Sequence, residues 1–288
     1  MHFSLIDTEN ENYPELLMEI QSPPSPLYLM GSLPDQTLPT VAIVGTRKAS
    51  RDGRELARKT AKELSEAGVV IVSGLAMGID TEAHKGTLEA GGVTIAVLGN
   101  GIDSVYPAQN EKLAKKILEK GGAIVSEYGP GEPSYRNRFI ERNRIISGLS
   151  LGVVVIEAPE RSGALSTARF AGEEGRSVFV FPNSPRNKNY SGSHALIRDG
   201  VTLVTDTEEI LEDLGIKPVH KTEQKMKNLN EDEYRVLRVV ANAGKPINID
   251  MIIEETTLDP HVASNVIATL VIEGIIKEGN TGYEISNS

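Results

Sequence analysis

The sequence predicts an α/β protein with a doubly wound, mostly parallel sheet, followed by a small winged-helix domain. Apolar runs rich in β-branched residues recur near residues 41–44, 69–72, 93–98, 122–125, 151–156, 177–181 and 201–204, and helical patterns separate most of them. Continuous apolar strands that alternate with helices are typical of a parallel sheet covered on both faces. After residue 230 the pattern changes to three helices and a hairpin, which is the order of a winged helix.

We divide the chain into four segments. Residues 1–37, with prolines at 14, 23, 24 and 26, are predicted to form an N-terminal arm with a short helix. Residues 38–216 form the sheet domain, lysine-rich 217–227 a linker, and 228–288 the winged-helix domain.

Composition indicates a soluble, cytoplasmic protein. Of 288 residues, 39% are hydrophobic and 24% are charged, as in globular domains. No apolar run approaches the roughly 20 residues that span a bilayer, and the N-terminus does not resemble a signal peptide. The chain has no cysteine, which excludes disulfides and thiolate metal sites. We expect no membrane partner, no metal and no cofactor.

The charge is unevenly distributed. A net charge of −10 argues against a generic nucleic-acid binder. Yet seven basic residues lie between Arg47 and Lys62, and four arginines lie between Arg136 and Arg144. Because charges beyond a Debye length of about 8 Å are largely screened, such local clusters can still bind phosphates.

Polar residues follow three of the predicted strands. The turns are Gly45-Thr46-Arg47-Lys48, the stretch from Ser73-Gly74 to Asp80, and Ser162-Gly163-Ala164-Leu165-Ser166-Thr167. In open α/β sheets, ligands bind outside the carboxyl ends of the strands. The three turns therefore predict one crevice suited to a phosphate-bearing ligand.

The turn sequences disfavour two common nucleotide folds. No second and third glycine follow Gly45 at the spacing of a dinucleotide fingerprint, and no Gly-Lys-Ser/Thr phosphate loop is present. NAD enzymes and P-loop NTPases are therefore not expected.

Several charged residues leave two interpretations open. Arg51, Arg54, Arg58 and Lys62 share one helix face, which is either an ordinary solvated surface or a ligand contact. Arg47 differs, because its place in a strand-end turn favours anion binding. Asp80 either caps the next helix or contacts ligand.

The same ambiguity holds for two further groups. His84, one turn after Asp80, either bonds to it or contacts ligand. A second group combines an aromatic ring with cationic and polar side chains, a combination that suits binding of single-stranded nucleic acid. It consists of Phe139, Arg142, Asn143 and Arg144. The alternative is that Glu141 and nearby acids neutralise these arginines in a structural network. Ser162, Ser166 and Thr167 either bind an anion at a helix start or merely cap the helix.

Taken together, these segments resemble the DprA/Smf family of DNA-processing proteins. The resemblance spans about residues 40–205 and also touches Tyr13-Pro14 and Pro23-Pro24. It rests on Gly45-Thr46-Arg47, Ser73-Gly74-Leu75-Ala76, Gly78-Ile79-Asp80, Ala83-His84, Tyr106-Pro107, Asn110, Ser126-Glu127-Tyr128, Arg142 through Ser150, Glu157-Ala158, Ser162-Gly163 and Thr167-Ala168.

The resemblance implies an extended Rossmann fold that binds and protects incoming single-stranded DNA without catalysis. It also implies a homodimer and the loading of RecA recombinase onto DNA during natural transformation in competent cells. By motif match, Arg47 would contact a phosphate, residues 142–144 would form the pocket wall, and Ser162 and Thr167 its floor. The predicted DNA-binding residues are Arg47, Thr46, Lys48, Ser73, Gly74, Asp80, His84, Phe139, Arg142, Asn143, Arg144, Ser162, Gly163, Ser166 and Thr167.

The sequence departs from the family pattern in a few places. Asn183 follows Pro182 where many members have glycine, Ser193-His194 replaces a Thr/Ser-Asn pair, and Ala108 stands where some members have a basic residue. The winged-helix segment carries a net charge of −6, and residues 260–272 contain no lysine or arginine. We therefore expect that domain to contact protein rather than duplex DNA.

Two other functions remain as alternatives. Phosphoribohydrolases of the lysine-decarboxylase-like group have a similar core, with a catalytic glutamate in a Pro-Gly-Gly-x-Gly-Thr-x-x-Glu stretch. Here the comparable turn at 162–171 has no glutamate, and Glu173 and Glu174 come later. The second alternative is a regulator in which a mononucleotide in the pocket repositions the winged helix.

Overall fold

The computed structural model describes residues 2–217, 229–243, 245–279 and 282–286. The chain divides into two compact units, Met1–Pro218 and Val219–Ser288. The predicted linker, apart from residue 217, lies outside the described residues, so its boundaries remain predictions.

The described part of the first unit forms a nine-stranded sheet with helices on both faces. Its strands are β1 Ser4–Ile6, β2 Leu27–Gly31, β3 Thr40–Val44, β4 Val70–Ser73, β5 Thr94–Leu98, β6 Ala123–Ser126, β7 Gly152–Val155, β8 Ser177–Val180 and β9 Thr202–Leu203. Its helices are α1 Glu15–Met18, α2 Arg51–Glu66, α3 Ile79–Glu89, α4 Glu111–Glu119, α5 Arg136–Glu141, α6 Asn143–Gly148, α7 Ala164–Glu173, α8 Ser191–Arg198 and α9 Thr207–Asp213, with single 3-10 turns at Ala108–Asn110 and Lys188–Tyr190.

The strand order confirms the predicted doubly wound sheet. It runs β1-β2-β6-β5-β4-β3-β7-β8-β9, and every pairing from β6 to β9 is parallel. The chain moves outward from β3 in one direction through β4 and in the other through β7. The crevice at such a reversal, outside the carboxyl ends of the strands, is where open α/β sheets bind ligands.

The central strands form because both of their faces are buried. In β3, Ala42 and Val44 belong to one core cluster, whereas Val41 and Ile43 belong to the cluster on the opposite face. This double burial explains why the strand sequence is continuously apolar rather than alternating.

The N-terminal segment differs from the predicted arm. The short helix is present as α1, but Leu27–Gly31 also enters the sheet and pairs antiparallel with β6, with Leu29 opposite Val125. Leu27 and Leu29 are buried in the main core. The prolines before Leu27 do not prevent this pairing, because burial of these side chains stabilises the strand. The segment is therefore part of the sheet.

The second unit has the predicted order of three helices and a hairpin. These are α10 Glu231–Asn242, α11 Ile249–Thr256, α12 Pro260–Ile272, β10 Ile276–Gly279 and β11 Gly282–Ile285. Its core includes Val236, Leu237, Ile252, Ile267 and Leu270. In the part of the chain that the structure describes, no helix has both the length and the apolar character needed to cross a membrane.

Candidate functional site

A cavity of about 740 Å³ lies at the reversal point of the sheet. Of the predicted site residues, it is lined by Thr46, Arg47, Lys48, Asp80, Phe139, Arg142, Asn143, Ser162, Gly163, Ser166 and Thr167. A smaller cavity of about 150 Å³ is lined by Gly74 and again by Arg47, Phe139 and Arg142. The structure therefore brings together twelve of the fifteen predicted residues.

Two glycines allow the first two turns to approach each other. A Cβ atom on Gly45 would lie 2.4 Å from Cγ1 of Ile79, and one on Gly78 would lie 2.3 Å from the carbonyl oxygen of Thr46. Gly78 also has a φ of +84°, which disfavours other residues. Thr46 donates its N–H to the carbonyl of Glu157 at 2.7 Å, so the β7 turn is tied to the same centre.

The open side of the cavity is cationic and aromatic. The guanidinium carbon of Arg47 lies 5.3 Å from the ring centroid of Phe139, and that ring is 5.4 Å from the ring of Tyr106. Four cations line the cavity, are exposed, and have no carboxylate within 4 Å among the described residues: Arg47, Lys48, Arg136 and Arg161. This rim presents uncompensated positive charge beside ring faces.

Arg142, in contrast, braces the cavity from inside. Its side chain is buried, with the residue only 4% exposed, and it donates to the carbonyls of Val97 and, at 3.0 Å, Gly74. Nε donates to Oδ1 of Asn143 at 3.2 Å. Burial lowers the pKa of Arg142 to about 10, a shift that nearby Asp80 opposes. The guanidinium therefore remains charged at neutral pH.

Asp80 closes the second turn rather than capping α3 at its start. One carboxylate oxygen accepts the N–H groups of Gly74 at 3.1 Å and Ala76 at 3.4 Å. Burial raises the pKa of Asp80, whereas Arg142 and these two N–H groups act in the opposite direction. Gly74 is essential to the arrangement, because a Cβ atom there would lie 2.6 Å from Nη2 of Arg142 and 2.8 Å from Asp80.

The start of α7 forms the floor of the cavity. Asn143 donates from Nδ2 to the carbonyl of Gly163 at 3.2 Å and to Oγ of Ser166 at 2.9 Å, which fixes the wall against the floor. Ser162 accepts the N–H of Ala164 at 3.3 Å. The N–H groups of Leu165 and Ser166 also donate within the turn, to the carbonyls of Ser162 and Gly163. The positive end of the helix dipole at this place favours an anion.

The start of α2 is not available to an anion in the same way. The fully buried Glu157 accepts both the N–H of Ser50 and its hydroxyl, the latter at 2.7 Å. This carboxylate supplies the negative charge that the helix start favours. An added phosphate would therefore be repelled there.

Three predicted residues lie outside both cavities. The ring of His84 is fully buried, and its Nδ1 is 2.7 Å from Oγ1 of Thr94 rather than bonded to Asp80. Burial lowers the pKa of His84 to about 3. Ser73 donates its hydroxyl to the carbonyl of Ile43 at 2.7 Å.

Arg144 is the third, since it pairs with Glu127 on the far side of α6. A residue two positions after Arg142 points about 200° around a helix from it, so the two arginines cannot face the same cavity. These placements put Ser73, His84 and Arg144 outside the predicted crevice, so the expectation that they line it with the other predicted residues is wrong.

The structure also decides two of the open alternatives. Glu141 accepts hydrogen bonds from Tyr128 and Asn137, both at 3.2 Å. Nearby acids neutralise two arginines of the stretch, because Glu132 pairs with Arg138 at 3.0 Å and Glu127 pairs with Arg144. The helix face that begins at Arg51 lies outside the cavity, and its Arg58 donates to Glu89 at 2.7 Å. This helix face therefore does not line the cavity and is an ordinary solvated surface.

Sequence reasoning missed several lining residues. Arg136 lies in the noted cationic stretch but was not selected, and Arg161 directly precedes the selected Ser162. Tyr106 is part of the family-like Tyr-Pro pair, and Ser134 carries no recognisable signal. A rule that every cation in a strand-end turn is a candidate would have found Arg161.

Comparison with known proteins identifies the family. The sequence profile of DNA recombination-mediator protein A matches residues 4–215. The chain belongs to this family. It is 46% identical to the Smf protein of Escherichia coli over 210 residues, which cover 73% of this chain and 56% of that protein. It is 44% identical to DNA processing protein DprA of Streptococcus pneumoniae over 209 residues, covering 73% and 72% of the two chains.

Two solved structures share the fold. DprA from S. pneumoniae superposes with a TM-score of 0.68 at 42% identity and covers 74% of this chain and 75% of its own. DNA processing protein A from Helicobacter pylori, studied for its single-stranded DNA binding mode, gives a TM-score of 0.66 at 30% identity, with coverages of 74% and 96%. The chain spans little more than half the length of the E. coli protein.

Proposed function

We propose that this crevice binds single-stranded DNA and that the protein is a recombination mediator. The observation that carries the proposal is the cavity rim. Its cations Arg47, Lys48, Arg136 and Arg161 have no carboxylate within 4 Å among the described residues, and Arg47 lies 5.3 Å from the centroid of the Phe139 ring. Family membership supports the same assignment.

The chemistry favours a single strand over a duplex. Ring faces can stack only on bases that are unstacked from their neighbours, and such stacking contributes about 1–3 kcal/mol per base. The rings of Phe139 and Tyr106 line the cavity, and the positive end of the α7 dipole, at Gly163 and Ala164 of the lining, favours a phosphate. A duplex would present its phosphates to the rim but would leave these rings without a partner.

The protein is proposed to act without catalysis. Among the described residues that line the main cavity, Asp80 is the one carboxylate, and two backbone N–H groups and Arg142 hold it in place. Glu173 and Glu174 lie at the far end of α7. No lining carboxylate is thus free to assist glycosidic cleavage, which argues against the phosphoribohydrolase alternative.

Further parts of the proposal rest on family membership alone. They are a homodimer, protection of incoming single strands, loading of RecA onto the bound DNA, and a cytoplasmic location. The winged-helix unit is proposed to contact protein, because α12 has no basic residue and exposes Ile272 to 86%.

The test is fluorescence anisotropy of a labelled single strand titrated with the full chain, with Arg47→Ala and with Arg54→Ala. Arg54 is an exposed arginine outside the cavity, and no carboxylate among the described residues lies within 4 Å of it, so it controls for charge. A hydrogen bond to a charged group contributes about 1.5–3 kcal/mol, so Arg47→Ala should weaken binding roughly 10- to 150-fold. Arg54→Ala should change it less than about threefold.

Equal losses in the two variants would show that diffuse charge, and not the cavity, provides the affinity. Tighter binding of a mononucleotide than of an oligomer would instead support the regulator alternative. Thermal unfolding of each variant shows whether the fold is intact.

A further inference from the structure

We propose that Arg186 and Lys188 form an outer phosphate-binding subsite that extends the DNA path from the cavity across the turn after β8. This inference rests on the proposed function of the cavity. It assigns a contact surface to residues 183–190, which the cavity does not include.

The topology places this turn next to the cavity. Strands β7 and β8 pair in parallel, with Val155 opposite Val180, so both turns leave the sheet at the same edge. Neighbouring strands lie about 4.8 Å apart. The turn after β7 carries Arg161 and the cavity floor, and the turn after β8 is therefore its direct neighbour.

Hydrogen bonds hold the two turns together. Asn189 donates from Nδ2 to Oε1 of Glu157 at 2.7 Å. Ser191 accepts the N–H of Glu160 at 3.0 Å, and Gly192 donates its N–H to the carbonyl of Ala158 at 2.9 Å. The residues that flank Arg186 and Lys188 are thus fixed against the strand end beside the cavity.

The turn is also ordered from within. Oδ1 of Asn183 accepts hydrogen bonds from the N–H of Ser184 at 2.7 Å and from Nδ2 of Asn187 at 3.2 Å. Nε2 of His194 lies 3.0 Å from the carbonyl oxygen of Asn183, so the ring N–H donates there. Asn183 and His194 are two of the places where the sequence departs from the family pattern. Such internal ordering lowers the entropy cost of binding a ligand.

The charge of the turn is not neutralised locally. Arg186 and Lys188 are exposed, and neither lies within 4 Å of a carboxylate among the residues with described positions. Within the two turns the acids are Glu160, which is exposed, and Glu157, which is buried and bonded to Ser50 and Asn189. The cations therefore continue the row of Arg47 and Arg161 along the sheet edge.

The test compares the salt dependence of binding for two DNA lengths. The variant is Arg186→Ala with Lys188→Ala. The matched control is Lys116→Ala with Lys120→Ala. These lysines lie at the end of α4, just before β6 begins, and therefore near the amino ends of the strands rather than their carboxyl ends. The oligomers are a short one of about 4 nucleotides and a long one of about 16, which bracket typical site sizes for single strands.

For the long oligomer, loss of two phosphate contacts should reduce the slope of log K against log salt by about 1.4, at about 0.7 per contact. Between about 50 and 200 mM salt, wild type should then lose about 7-fold more affinity than the double variant. The short oligomer is expected to bind within the cavity, so it should bind wild type and variant alike. The control should behave as wild type with both lengths.

An unchanged slope in the double variant, or an equal reduction in the control, would overturn the outer subsite. If Arg47→Ala still weakened binding of both lengths by the expected factor, the proposed function would stand and the inference alone would fail. No binding of single strands by the wild type would overturn both.

Discussion

Arg142 is predicted to stabilise the fold more than it contacts DNA, and Arg142→Met tests this. The substitution keeps an apolar stem but removes the donors to the carbonyls of Gly74 and Val97. It also leaves Asp80 buried without the cation that favours its charged form. A hydrogen bond to a charged group contributes about 1.5–3 kcal/mol, so the loss of these two should cost about 3–6 kcal/mol.

The expected loss is large enough to measure by thermal unfolding. For a unit of this size, 1 kcal/mol corresponds to about 2–4 °C in the midpoint, so the transition of the first unit should fall by roughly 6–24 °C. Circular dichroism of the full chain provides the measurement. Arg47→Met is the matched control, because Arg47 is exposed and no carboxylate in the described part of the chain lies within 4 Å of it. Its midpoint should shift by less than about 2 °C.

One result would refute this reasoning. If Arg142→Met unfolded within about 2 °C of wild type and yet lost single-strand binding, the guanidinium would be a ligand contact and not a brace. If Arg47→Met were the destabilised variant, the assignment of exposed and structural arginines would be reversed.

The remaining predictions concern packing, stacking and pH. Gly74→Ala should cost about 1–3 kcal/mol in urea unfolding because its Cβ meets the buried guanidinium, whereas Gly163→Ala, which meets nothing within 4 Å, should be neutral or slightly stabilising. Phe139→Ala should weaken single-strand binding about 5- to 150-fold by anisotropy, while Tyr135→Ala, outside both cavities, should not. Between pH 7.5 and 5, wild type should lose about 2 kcal/mol more unfolding free energy than His84→Asn.

The sign of the pH effect follows from burial. The pKa of His84 is about 3 in the folded chain and about 6.5 when unfolded, so below pH 6.5 the unfolded state binds the extra proton and stability falls. Burial raises the pKa values of Asp80 and Glu174, the latter to about 7, which acts in the opposite direction. The difference between wild type and variant isolates the histidine. An equal pH dependence in both would contradict its buried, neutral state.

The sheet could be predicted because its strands are buried on both faces. Val41–Val44 is an uninterrupted apolar run. The polar residues that follow it therefore lie at the carboxyl ends of the strands, where the crevice forms. The strand at Leu27–Gly31 was missed, because nearby prolines favoured an arm. Its pairing with Ala123–Ser126 is a long-range contact that no local pattern reveals.

The site was predicted in outline but not in its details. The turns specify which residues approach the cavity, yet the direction of each side chain depends on the helix that carries it. Arg142 and Arg144 both lie in one cationic stretch, but the first braces the cavity and the second pairs with Glu127. Likewise, the burial of His84 against Thr94 depends on how α3 packs on β5, and sequence spacing alone does not show that contact.

The most direct test of the central claim is photocrosslinking of wild-type protein to a single strand that carries a photoreactive base, followed by peptide mapping. The crevice account predicts crosslinks at Phe139 or Tyr106, whose rings line the cavity. Crosslinks confined to residues 229–286, or to the exposed face of α2, would contradict it.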